Sequence, residues 1–396
     1  MKILYPVLMF IVLITGCRKD NTDNTPASTN DYFVSATSLG MFSKTALQSL
    51  AVKSGYANFA PIATFDVDFY KLIYKTTFKG NKIQVSGLIG IPKNGTAAPS
   101  LISAQHGTMF RFTDAPSNFP NSFSGYELVA SAGYITLIPD FIGYGVSQNI
   151  PHPYYDQQSS GLTVVDMIKA AKYYFQQQKI TTGSRLFIVG YSEGGYVTMA
   201  AQKEIETNAS HGLTLTAAAE GAGGYDLNEM LTGIATASTY SAPSFLSLLL
   251  RSYDSTYNWK RPYSDFYQEP YATKLSALLD GTKDRSAIDA ALSTSTAALF
   301  NPSFYASLSD PAKETVMKQQ LTANSFLTWT PKSATRLYHG TADEAVFYQT
   351  SVSIFNRFKT AGATNVEFVP IPGGTHSTSI EPMMFNALPW ILSLNK

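Results

Sequence analysis

The chain has 396 residues, 44% of them apolar and 14% charged, with a formal net charge of +1. That length and apolar content suffice for one large α/β domain with an insertion, or for two domains. The near-neutral balance, with no basic cluster interleaved with aromatics, argues against a nucleic-acid-binding surface.

The N-terminus reads Met1-Lys2, an apolar run from Ile3 to Ile14, then Thr15-Gly16-Cys17. This is the order of charge, apolar core and small residues found in an export signal, and the run is too short to span a bilayer. Ile14-Thr15-Gly16-Cys17 resembles the lipobox of bacterial lipoproteins, in which cleavage leaves the cysteine as a lipid-modified N-terminus. Cys17 is the only cysteine in the chain, so no disulfide can form within the mature protein. Residues 1–17 are therefore expected to be a signal peptide, with lipidated Cys17 anchoring the protein to a membrane. Placement as an outer-membrane lipoprotein follows, with the periplasmic and cell-surface faces both open. Residues 18–30 are polar and aperiodic, as a flexible tether would be.

The folded part divides into core residues 31–224, an insertion at 225–331 and core residues 332–396. Phe65 to Phe78 and Lys82 to Pro92 predict a β-pair joined at Gly80-Asn81. Strand-like Leu101 to Ala104 follows, then a helix near Tyr126 to Ala132 and the strand Tyr134 to Pro139. Val164, Ile168, Ala171 and Phe175 fall on one face of a longer helix, and Leu186 to Val189 is a further apolar strand. A helix beginning at Gly194 carries Val197, Ala200, Ala201 and Ile205 on one face. Leu213 to Ala219 reads as the next strand. The pattern then breaks until Thr335 to His339, a helix around Tyr348 to Ala361, the strand Val366 to Pro370 and a C-terminal helix. Alternating strands and helices predict a mostly parallel sheet with helices on both faces. The interrupting segment, rich in Phe, Tyr and Trp, predicts a helical cap over a pocket.

Gly190-Tyr191-Ser192-Glu193-Gly194 lies between a strand and a helix, the setting of a nucleophile elbow. Glycines are needed there because the chain passes close to itself, and the strained turn lifts the serine hydroxyl above the sheet edge. The Glu193 N–H, opening the helix, would face a substrate oxyanion, while Tyr191 and the Glu193 side chain are expected to be spectators. A serine hydroxyl needs an imidazole to take its proton and a carboxylate to orient that imidazole. Of the histidines at 106, 152, 211, 339 and 376, His376 is best placed, in a glycine-rich loop after the last strand. Asp343, with Glu344 as runner-up, follows the preceding strand. A second oxyanion donor is expected from Gln105-His106-Gly107-Thr108, preferably the Thr108 N–H, with Gly107 or Met109 as alternatives; His106 is expected to be structural. Residues Pro139 to Gly145 are expected to fix loop geometry, and His152, Tyr154, Tyr155 and Asp156 to form a solvated loop or line the pocket mouth.

These motifs, in the order Ser192, Asp343, His376, resemble the α/β-hydrolase superfamily and, within it, the secretory lipases, whose helical lid separates the sixth and seventh strands. The resemblance covers roughly residues 60 to 394. It implies an α/β-hydrolase fold and cleavage of carboxylic esters through an acyl-enzyme, with no metal and no cofactor. The aromatic-rich insertion suggests a small-molecule ester with an apolar or aromatic acyl group. Two alternatives stand beside this: a serine peptidase of aminopeptidase type on the same fold, and a non-catalytic surface-binding lipoprotein.

Overall fold

The computed structural model describes residues 31–95 and 98–396; Cys17 and the tether at 18–30 lie outside the described residues. The strands are β1 (Phe33–Phe42), β2 (Val67–Phe78), β3 (Asn81–Pro92), β4 (Leu101–Gln105), β5 (Ile135–Pro139), β6 (Leu186–Tyr191), β7 (Ala217–Gly221), β8 (Ala334–Gly340) and β9 (Val366–Ile371). They form one sheet in the order β1-β2-β3-β5-β4-β6-β7-β8-β9. The first three and β5 pair antiparallel, and from β5 through β9 every neighbour is parallel. This is the mostly parallel sheet expected of an α/β-hydrolase.

Helices α1 (Lys44–Lys53), α2 (Glu127–Ser131), α3 (Gln157–Gln177) and α4 (Glu193–Thr207) precede the insertion. The insertion contributes α5 (Leu227–Thr236), α6 (Pro243–Tyr257), α7 (Tyr271–Leu278), α8 (Arg285–Ala291), α9 (Thr296–Leu299), α10 (Pro302–Leu308) and α11 (Thr315–Ala323) between β7 and β8. The chain closes with α12 (Gln349–Thr360) and α13 (Ile380–Leu394). One face of the sheet is covered by α3, α4 and α12, the other by α1, α2 and α13. Strands buried on both faces need continuous apolar runs rather than alternation, which is why all six residues of β6 are buried.

Four local differences from the sequence-based expectation have physical causes. The β2–β3 turn is Lys79-Gly80, both with positive φ, and Asn81 already pairs with Phe78. The two-residue turn with both φ positive matches the twist of the flanking strands, so the reversal lies one residue earlier than Gly80-Asn81. Strand β7 starts at Ala217, not Leu213, because its alanines pair in register with Phe187 to Tyr191 despite their weak strand propensity. Helix α4 begins at Glu193, one residue before Gly194. Strand β1 and helix α1 carry no clear periodic signal. The former is an edge strand with irregular register and mostly half-exposed residues, so alternation is blurred.

Parallel strands send all their C-terminal ends to one edge of the sheet. The loops after β4, β5, β6, β8 and β9 therefore collect there, carrying His106 to Thr108, Asp140, Ser192, Asp343 and His376.

Candidate active site

Ser192 sits between β6 and α4 with φ 61° and ψ −126°, a region that L-residues seldom occupy. The surroundings hold it there. Its N–H donates to the Gly221 carbonyl at 2.8 Å. A side chain at Gly190 would run into the Gly194 carbonyl, one at Gly194 into the Gln105 carbonyl, and one at Gly195 into the Gly221 carbonyl. The glycines are thus a packing requirement of three strands and a helix meeting at the turn.

The Ser192 Oγ lies 2.8 Å from His376 Nε2, and His376 Nδ1 lies 2.7 Å from Asp343 Oδ2. All three residues are at least nine-tenths buried. Asp343 Oδ1 accepts from the Ala345 and Val346 N–H groups at 3.0 and 2.9 Å, which fixes the carboxylate plane. Burial alone would push this carboxyl up. Hydrogen bonds from His339 and His376 outweigh that cost and hold it well below the usual carboxylate range. Glu344, the alternative acid, accepts the His376 N–H through Oε2 at 3.3 Å rather than facing the ring.

His339 was not selected from the sequence, yet its Nε2 is 3.2 Å from Asp343 Oδ2 and 2.8 Å from the Val346 carbonyl. A carbonyl only accepts, so Nε2 carries a proton shared between those two oxygens. Its Nδ1 is 2.7 Å from Ser351 Oγ. One carboxylate oxygen therefore faces two imidazoles. The only local hint was the four-residue spacing of His339 and Asp343 across the end of β8.

The two candidate oxyanion donors flank Ser192. Gly107 lies against Tyr191 and Ser192, placing the loop 106–108 beside the elbow. Among the described residues neither the Thr108 N–H nor the Glu193 N–H has a protein acceptor. Thr108 Oγ1 is 2.9 Å from the Tyr154 hydroxyl, which ties the loop to the chain after β5. His106 is buried against Phe141, with ring centroids 4.1 Å apart, and burial lowers its pKa. Asp140 is fully buried, accepting from Ser117 N–H at 2.8 Å and from Ser86 Oγ at 2.5 Å, and so fixes the loop after β5.

Two supposed spectators have definite partners. The Tyr191 hydroxyl donates to the His376 carbonyl at 2.6 Å, pinning the histidine loop to the elbow. The Glu193 carboxylate is buried, its Oε1 2.7 Å from His152 Nε2, while His152 Nδ1 donates to the Ile142 carbonyl at 2.7 Å. His152, Tyr154 and Tyr155 accordingly form a packed wall rather than a solvated loop, the two tyrosines only 3% and 6% exposed. Asp156 caps α3, accepting from the Ser159 N–H at 2.9 Å. No sequence signal marks these contacts, because Tyr191 and His376 are 185 positions apart and His152 and Glu193 are 41 apart.

Beneath the insertion lies an apolar cavity, about 800 Å³ when the solvent-open space at its mouth is counted, lined by Leu227, Ile234, Leu250, Trp259 and Phe304 and bounded on the core side by Tyr154, Tyr155, Ala345 and Val346. Phe245 of α6 belongs to its wall and stands with its ring 6.3 Å from His376 and 6.0 Å from Phe110. The insertion thus covers the Ser192–His376 pair with an aromatic side chain. Among the described residues no group of three or more His, Cys, Asp or Glu side chains is arranged to hold a metal ion, and no helix is long and apolar enough to cross a membrane.

A strained serine at a strand–helix turn, with an imidazole and a carboxylate delivered from later strand ends of a parallel sheet, defines an α/β-hydrolase. Residues 126–394 match the secretory lipase family, and the chain belongs to that family. Membership supports ester hydrolysis and implies export. No curated protein matches the sequence significantly. Similar solved structures include a hydrolase from Legionella pneumophila, with 22% identity and a TM-score of 0.83 over 92% of this chain and 98% of that one. The rice cell wall degrading esterase LipA from Xanthomonas oryzae follows at 23% identity, TM-score 0.77, covering 91% and 96%. Candida antarctica lipase A in its closed state shares 16% identity with a TM-score of 0.66, covering 92% and 82%.

Proposed function

We propose that the protein is a serine esterase in which Ser192 attacks the ester carbonyl, His376 carries the proton and Asp343 orients His376. The observation that carries this reading is the unbroken chain of contacts from Ser192 Oγ to His376 Nε2 at 2.8 Å and from His376 Nδ1 to Asp343 Oδ2 at 2.7 Å. The Asp343 carboxylate keeps the proton on Nδ1, leaving Nε2 free to accept the serine proton as Oγ attacks. The tetrahedral oxyanion would be held by the Thr108 and Glu193 N–H groups. Collapse expels the alcohol, protonated by His376, and leaves an acyl-serine. A water then repeats the sequence and releases the acid.

The apolar cavity under the insertion supports an apolar acyl group, since nearly every side chain in its wall is hydrocarbon or aromatic. The insertion acts as a cap: Ser192 is only 5% exposed, and Phe245 of α6 stands over His376. Cys17 is the proposed lipid anchor, with residues 18–30 as tether; labelling with a radioactive fatty acid, lost in Cys17→Ala, checks it.

Ser192→Ala should lower hydrolysis of a nitrophenyl octanoate by about 10⁴-fold or more while leaving the unfolding midpoint unchanged. A variant retaining a tenth of wild-type turnover would overturn the assignment. Faster cleavage of aminoacyl nitroanilides than of esters would replace it with a peptidase.

A further inference from the structure

A second cavity, about 640 Å³ when its solvent-open mouth is counted, has Phe110 in its wall. Its wall differs in kind from that of the apolar cavity. Tyr144, Gln148, Asn149 and His152 come from the core loops after β5, and Leu248, Arg251 and Ser252 from α6. Two of its wall residues connect it to the reacting centre. Phe110 follows Thr108 by two positions, and His152 holds the Glu193 carboxylate at 2.7 Å. Both proposed oxyanion donors are thus attached to this wall. On the other side, the Phe110–Phe245 stack separates the cavity from the apolar one, with Phe245 against His376. An ester carbonyl carbon bears its acyl chain and its alkoxy group on opposite sides. The apolar cavity reaches toward Ser192 through Phe245 and the second through Phe110 and His152, so the two lie on different sides of the catalytic pair, as such a substrate requires.

Arg251 gives this cavity its chemistry. Arg357 places its donors on the Leu327 and Trp329 carbonyls, while Arg111, Arg261, Arg285 and Arg336 each pair with a carboxylate, at 2.9, 2.7, 3.0 and 2.6 Å. Among the described residues Arg251 has none within ion-pair distance, and its side chain makes one hydrogen bond, from Nη1 to the Leu279 carbonyl. A guanidinium offers about five N–H donors in a planar fork. A half-buried cation with most of that fork unused is costly, and an anion binding in the cavity would remove the cost. Resting on the esterase reading above, we infer that this cavity is the leaving-group subsite and that Arg251 makes it select alcohols carrying an anionic substituent, a carboxylate or a phosphate.

The test uses the full chain and three octanoyl esters differing only in the alcohol: 4-hydroxybenzamide, 4-hydroxybenzoate and 4-hydroxyphenyl phosphate. Wild-type kcat/KM should be about ten-fold or more higher for an anionic alcohol than for the amide, chiefly through KM. Whichever anion gives the larger ratio identifies the group the site takes. In Arg251→Gln the ratio should fall to about one, and Arg251→Lys should restore part of it, since charge survives but the fork does not. Because a ratio compares substrates on the same variant, any loss of folding at the Leu279 contact cancels. A wild-type ratio at or below one for both anions, or a wild-type ratio retained in Arg251→Gln, would overturn the subsite. If none of the esters is hydrolysed, the esterase reading fails instead. The subsite is then decided by calorimetric binding of 4-hydroxybenzoate itself, which must weaken by about ten-fold in Arg251→Gln for it to stand.

Discussion

Asp343→Asn tests the geometry of the site more sharply than removal of the serine does. The carboxylate accepts four hydrogen bonds: Ala345 N–H at 3.0 Å and Val346 N–H at 2.9 Å on Oδ1, and His376 at 2.7 Å and His339 at 3.2 Å on Oδ2. An amide has one acceptor oxygen. If that oxygen stays with the two backbone groups, the amide nitrogen faces His339 Nε2–H, donor against donor, and forces the proton of His376 onto Nε2. In that tautomer His376 cannot accept from Ser192, and kcat should fall by about 10⁴-fold. If the amide turns round, His376 recovers an acceptor but two buried backbone N–H groups lose theirs, costing about 1–3 kcal/mol for each group left unpaired. Both orientations therefore predict loss, one mainly of rate and one mainly of stability. Initial rates with a nitrophenyl ester, together with urea unfolding, separate them. The stability difference also has a pH signature. The Asp343 carboxyl is held below its unfolded value, so its contribution is complete above about pH 4 and fades as pH falls through the folded value. A variant that keeps rates within ten-fold of wild type and unfolds at the same urea concentration would refute the reasoning.

Other substitutions probe separate parts of the site. Gly194→Ala should prevent accumulation of soluble folded protein, because its methyl group would meet the Gln105 carbonyl inside the sheet; recovery of an active, folded variant would contradict this. Tyr191→Phe removes the 2.6 Å bond to the His376 carbonyl and should lower kcat by about ten-fold with little change in KM, read from Michaelis curves. Glu220, in the middle of β7, is fully buried with neither oxygen hydrogen-bonded among the described residues, and burial pushes its carboxyl well above the usual range. Its folded state therefore keeps a proton that the unfolded chain releases, so wild-type stability declines as pH rises above the unfolded value. Glu220→Gln should remove that decline, gaining on wild type by about 1.4 kcal/mol per pH unit from roughly pH 4.5 until the folded carboxyl itself ionises, and no further beyond; parallel urea midpoints at acidic and alkaline pH would disprove it.

Local physics was legible in the chain without coordinates. Mostly apolar runs marked β4, β5 and β6 because strands covered on both faces need them, and the glycines around Ser192 marked a turn too tight for side chains. Ser192, Asp343 and His376 could each be singled out because a strand's end is a local feature. Edge strand β1, half exposed and irregular, lacked such marks and took its place through pairing alone, while for β7 the sequence marked a strand and pairing with β6 set where it begins.

What only the tertiary structure decided are the contacts between distant stretches of chain. His339 reaches the same carboxylate oxygen as His376, Tyr191 holds the His376 loop, and His152 meets Glu193 beneath the elbow. Arg251 is left facing a cavity without a carboxylate partner among the described residues. Each depends on how the sheet edge and the insertion close on one another. Periodicity and turn chemistry report a residue's own segment, whereas a hydrogen bond across 185 positions exists only once the whole sheet has set both ends in place.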